Sequence, residues 1–94
     1  MPKPVPFPTR DHELASTLVT LKYEIERLDW EKQEDGKWFG VFVFSGDSSE
    51  MELVSRDFRM GKEFAISPQE LFSNHKKLRS WLIEERQRRE NVRT

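Results

Sequence analysis

Residues 37–45 read KWFGVFVFS, and this stretch constrains the chain more than any other. In an extended conformation Trp38, Gly40, Phe42 and Phe44 share one side and Phe39, Val41 and Val43 the other. Both sides are apolar, so this is the pattern of a central strand covered on both faces. Aromatic and β-branched residues fill it, which favours a strand over a helix.

The flanking segments supply what such a strand needs. Upstream, Gln33-Glu34-Asp35-Gly36 carries an Asp-Gly pair, which provides the positive φ of a tight hairpin turn. Before that turn two patterns compete over residues 11–30. Leu14, Leu18, Leu21, Ile25 and Leu28 are spaced as one heptad seam. Leu21, Tyr23 and Ile25 also alternate with Lys22, Glu24 and Glu26, as in a half-buried strand. The alternation favours a helix over about 10–20, capped by Thr9 or Asp11, then a strand over about 22–32. Leu28 and Trp30 are out of phase with Tyr23 and Ile25, so a bulge is expected near Arg27.

Downstream, Asp47 or Ser48 opens a helix over about 48–60. Its apolar stripe is Met51, Val54 and Phe58, with Leu53 beside it, and Gly61 suits the position just past its end. Residues 63–66 read as a short extended segment. Ser67-Pro68-Gln69-Glu70 has Ser at N-cap, Pro at N1 and Glu at N3, a strong helix start. That helix is expected to run to about Arg88. Leu71, Phe72, His75, Leu78 and Leu82, with Trp81 or Ile83, form its buried side. The expectation is a small α+β domain: an antiparallel sheet around a central hairpin, with three helices, in the order (β)-α-β-β-α-β-α. Residues 1–8, with proline at every second position from Pro2 to Pro8, read as an extended arm that lends an edge segment. Residues 9–88 form the domain and 89–94 a polar basic tail.

With 94 residues there is room for one core, burying about 60–65 % of the unfolded surface. A core that small is compatible with a homodimer sharing apolar surface. Val5, Phe7, Trp81 and Ile83 are the apolar residues in excess of its needs, and Phe7, Trp81 and Ile83 are the candidate interface.

Three features resemble a family of small uncharacterised proteins, a domain of unknown function found in bacteria, archaea and their phages. They are Phe7-x-Thr9-x-Asp11 with Leu14-Ala15, the strand ending Val41-Phe42-Val43-Phe44, and Ile66-x-Pro68-x-x-Leu71-Phe72 followed by Lys77-Leu78 and Leu82. The likeness spans roughly residues 7–85. Members commonly carry a Gly before the strand that follows the first helix, where this chain has Lys22 or a neighbour. The resemblance implies a helix followed by a strand and a small accessory protein, often borne on mobile elements. It implies no activity.

The chain has no cysteine, which excludes a disulfide framework, a zinc ribbon and a thiol nucleophile. MPKPVPFP has no apolar h-region, and no apolar run reaches the roughly 18 residues of a membrane span. A cytoplasmic protein without membrane association is expected. His12 and His75 are the only histidines, and no G-x-S-x-G elbow is present. Asp11, His12 and Glu13 are consecutive and point three ways on a helix, as helix-start acids do, so neither metal nor cofactor is assigned. Ser45-Gly46-Asp47-Ser48 follows a strand and opens a helix but lacks the length and Lys of a phosphate loop. Enzymatic activity is not expected.

Net charge is −1, but it is uneven. From residue 75 onward seven basic residues face three acidic ones. Lys76, Lys77, Arg79, Arg86, Arg88, Arg89 and Arg93 are the candidate nucleic-acid contacts. The same residues also complement the helix dipole, and Glu84, Glu85 and Glu90 interleave with them. The aromatics of the central strand are assigned to the core, not to base stacking. Two function classes follow. The first is a non-enzymatic interaction module that binds protein or itself. The second is a nucleic-acid-binding regulator using its basic last helix.

Overall fold

The computed structural model describes residues 6–92, with side chains through Arg89. Its elements are β1 (Phe7–Thr9), α1 (His12–Thr20), β2 (Glu24–Lys32), β3 (Trp38–Ser45), α2 (Ser48–Arg59) and α3 (Pro68–Val92). The fold is α+β, a three-stranded antiparallel sheet with three helices. β3 is the central strand of the order β1-β3-β2. The chain resolves residues 11–30 into helix then strand, as the alternation indicated. The ladder between β2 and β3 shifts between Ile25 and Arg27, the expected bulge.

Local chemistry explains the boundaries. The Asp11 carboxylate accepts from the backbone N–H of Glu13 at 3.0 Å and of Leu14 at 3.1 Å, and so caps α1. Asp47 caps α2 by accepting from Ser49 N–H at 2.9 Å. Both helices end in a Schellman motif. After α2 the left-handed residue is Gly61, with φ +75°. After α1 it is Lys22, with φ +77°, where its N–H reaches Val19 C=O at 2.9 Å and Tyr23 N–H reaches Leu18 C=O at 3.0 Å.

One face of the sheet carries the core. Phe42 and Phe44 are fully buried with Leu14, Ala15 and Leu18 of α1, Met51 of α2, and Leu78 and Leu82 of α3. α1 also buries Ser16, Thr17 and Thr20, whose hydroxyls donate to the carbonyls of His12, Glu13 and Ser16. Thr20 Oγ1 in turn accepts from Asn74 Nδ2 at 3.0 Å, tying α1 to α3.

Several expectations are corrected. Residues 63–66 form no strand: β1 and β2 occupy both places beside β3, and Ile66 N–H instead bonds Phe64 C=O at 2.9 Å in a local turn. The element order is therefore β-α-β-β-α-α. The N-terminal arm supplies the expected edge segment as β1, with Phe7 opposite Phe44. α3 does not stop near Arg88 but continues to Val92. Finally, the three helices contribute to one core cluster, on the face of Phe42 and Phe44, and Val41 and Val43 are buried outside it. Asp29 is the register partner of Val41, and Arg27 and Pro8 are those of Val43.

Phe72 lies outside the buried side of α3, at 63 % exposure. It stands on the outer surface with the Lys76 ammonium 4.7 Å from its ring centre. Val5 and Arg93 lie outside the described residues.

Candidate functional site

α3 has 25 residues and spans about 37 Å, whereas the eight residues of β3 span about 26 Å. It runs antiparallel to β3. Trp81 lies against Phe42, with ring centres 5.9 Å apart, and Leu82 lies over Gly40. One turn further on, the same face of α3 changes from apolar to basic. Leu78 and Leu82 are followed there by Arg86 and Arg89.

The sheet beneath changes in step. Trp38 lies two residues before Gly40 on the helix-facing side of β3. Trp30 on β2 is the register partner of Gly40 and so faces the same way. Gly40 has no side chain, so α3 approaches closely and its arginines settle on the indoles. Arg89 Cζ is 4.9 Å from the Trp38 ring centre and 5.7 Å from that of Trp30. Arg86 Cζ is 5.8 Å from the Trp30 ring centre. These are cation–π distances.

Between the hairpin end and α3 these side chains border an open cleft of about 500 Å³, with Gln33, Lys37 and Phe39 on its walls. Phe39, which points to the opposite side of β3 from Trp38, carries Arg10 at 4.6 Å from its ring centre, and Arg10 lies outside the cleft lining. Beyond Arg10 the adjoining depression is bounded by Asp11 and Glu31, which limits the basic region on that side.

Comparison with family models, curated proteins and solved structures gives no match to this chain.

The structure sorts the candidate residues. Of the basic cluster, Arg86 and Arg89 converge on the tryptophans. Arg88 points elsewhere and pairs with Glu85 at 3.3 Å. Lys76 sits over Phe72, and Lys77 is exposed on α3. Arg79 lies toward the start of α1, where it and Arg86 act on His12. Burial holds the His12 imidazole below its ordinary pKa, and the positive fields of His75, Arg79 and Arg86 add to this against the opposing Asp11. Of the candidate interface, Phe7 and Trp81 are half-buried and packed on the core, while Ile83 is 52 % exposed. Among the described residues no group of three or more His, Asp or Glu is placed to hold a metal ion, and no helix is long and apolar enough to cross a membrane.

Assigning the central-strand aromatics to the core leaves Trp38 out of the expected site, and Trp30 and Lys37 carry no site expectation. A signal for them was present. Arg86 and Arg89 extend the spacing of Leu78 and Leu82, and Trp38 extends the face of Phe42 and Gly40. A helix longer than its strand carries both patterns past the core together.

Proposed function

We propose that this chain is a non-enzymatic binding module of the cytoplasm, a small accessory protein that holds an anionic partner in the cleft between Trp30, Trp38, Arg86 and Arg89. The observation that carries this is the seating of two guanidinium groups on two half-buried indoles at an open surface. A guanidinium stacked on a ring is held in place while its N–H groups remain directed outward at its edge, suited to phosphate or carboxylate. Lys37 is a third cation on the cleft lining.

The cleft walls are Trp, Gln, Gly, Lys, Phe and Arg. No histidine, aspartate or glutamate is among them, the side chains that most often serve as general acid or base. This supports binding over catalysis.

Heparin serves as a generic polyanion for the test. The wild-type chain is expected to be retained on a heparin column to a higher salt concentration than Arg86→Glu/Arg89→Glu. Equal retention of the two proteins, with unchanged circular dichroism, overturns the assignment of the cleft.

A further inference from the structure

We propose that the anionic partner is single-stranded nucleic acid, with bases stacking at the indole and guanidinium plates and phosphates meeting Arg86, Arg89 and Lys37. This inference rests on the cleft being the binding surface and names its ligand class.

Three observations favour a single strand. First, two cations of the cleft lie over aromatic rings: Arg89 over Trp38 and Arg86 over Trp30. A polyanion with no ring system has no use for the aromatic half of that arrangement. A strand of unstacked bases uses both halves, since each nucleotide brings one π-face and one phosphate. Second, the site is concave and lies between a hairpin and a helix. Duplex DNA is read by an element that projects into a groove about 12 Å wide. Here Arg86 and Arg89 are folded back over β2 and β3, so this face of α3 cannot enter a groove without leaving the sheet. Third, the cations are few. Three phosphate contacts in a single strand give a salt slope of about −2, so affinity falls about twentyfold between about 50 and 200 mM salt. That is a small charge term, and stacking of bases would add to it.

The test measures fluorescence anisotropy of a labelled twelve-residue oligothymidylate with the full chain. The same sequence as a duplex, heparin and polyglutamate are run as unlabelled ligands, followed by quenching of the tryptophan fluorescence. The expected result is binding of the single strand with quenching, at least tenfold tighter than the duplex. Trp38→Leu is expected to weaken it about tenfold and to lower heparin retention by much less, since the cations remain while the stacking plate is lost. Arg89→Lys is the second variant, because it lies on the exposed helix surface and does not threaten the core. It keeps the charge, loses the guanidinium plane, and is expected to weaken the single strand several-fold with a smaller loss of heparin retention.

If heparin, duplex and single strand bind alike and neither variant discriminates, the cleft is a simple polyanion site and the single-strand inference falls alone. If polyglutamate quenches the tryptophans and the oligonucleotide does not, the occupant is an acidic protein segment, and again only this inference falls. If no polyanion binds at about 50 mM salt, the cleft assignment falls with it.

Discussion

Leu82 of α3 occupies the space that a β-carbon on Gly40 would need. A methyl group built on Gly40 collides with Leu82 Cδ2 and stands 3.2 Å from Leu28 Cδ1. Glycine inside a strand is ordinarily a weakness, but here its missing side chain sets the spacing between sheet and helix.

Gly40→Ala is therefore expected to destabilise the fold by about 1–3 kcal/mol, the usual cost of overpacking a core. Leu82→Ala in the same chain is expected to recover part of that loss, giving a favourable coupling in a double-mutant cycle by thermal or urea unfolding. Arg86 and Arg89 follow Leu82 on the same helix face. The tilt forced by the new methyl group should therefore also weaken polyanion retention. Additive single effects would show that Leu82 and Gly40 do not bear on each other.

Lys22 holds the left-handed position that ends α1, with φ +77°. A side chain there costs about 1–2 kcal/mol, and glycine removes that strain while adding freedom to the unfolded chain. The ion pair from Lys22 to Glu70 is 3.9 Å long between well-exposed groups, so it offsets little. Lys22→Gly is expected to stabilise by about 0.5–1 kcal/mol and raise Tm by about 2–8 °C in a domain of this size. A lower Tm would mean that the lysine makes a contact worth more than its strain.

His12 links stability to pH. Its imidazole is held below the ordinary value near 6.5, first by burial and then by His75, Arg79 and Arg86. The unfolded chain therefore binds a proton more readily than the folded one. The stability is fully present above about pH 6.5 and is lost as pH falls from there through the lowered folded value. Tm should decline from pH 7.5 to pH 5, and His12→Gln should flatten that decline. Parallel Tm profiles for the two proteins would remove His12 as the cause.

Arg89 is shared between Trp38 and Trp30, at 4.9 and 5.7 Å. Arg89→Ala is expected to cost about 0.5–1 kcal/mol of stability, typical of a cation–π contact near solvent. It should also change the tryptophan emission, because two of the three indoles lose a neighbouring charge. An emission spectrum and Tm identical to wild type would show that the guanidinium does not rest on the rings in solution.

Much of the fold is legible in the sequence because it depends on near neighbours. Asp35-Gly36 turns the hairpin, Asp11 and Asp47 accept from N–H groups two or three residues on, and Gly61 takes the left-handed position after α2. The bulge near Arg27 follows from a phase slip within β2. Each involves atoms brought together by a few residues of chain, so residue type and spacing suffice. The basic character of α3 is legible for the same reason, but the site it helps to form is not. Arg86 lies far along the chain from Trp30, and nothing local says that they meet.

The sequence alone determined a doubly apolar central strand, its hairpin and the starts of three helices. Tertiary structure decided the rest. β1 took the free side of β3 that residues 63–66 did not reach, and the helices gathered on the face of Phe42 and Phe44. Phe72 was left outside, while Arg86 and Arg89 were drawn over Trp30 and Trp38. The physical reason is that β3 has only two edges and one core cluster for the helices to join. Which segments fill them depends on competition across the whole chain, and the absent side chain of Gly40 sets how closely α3 can lie.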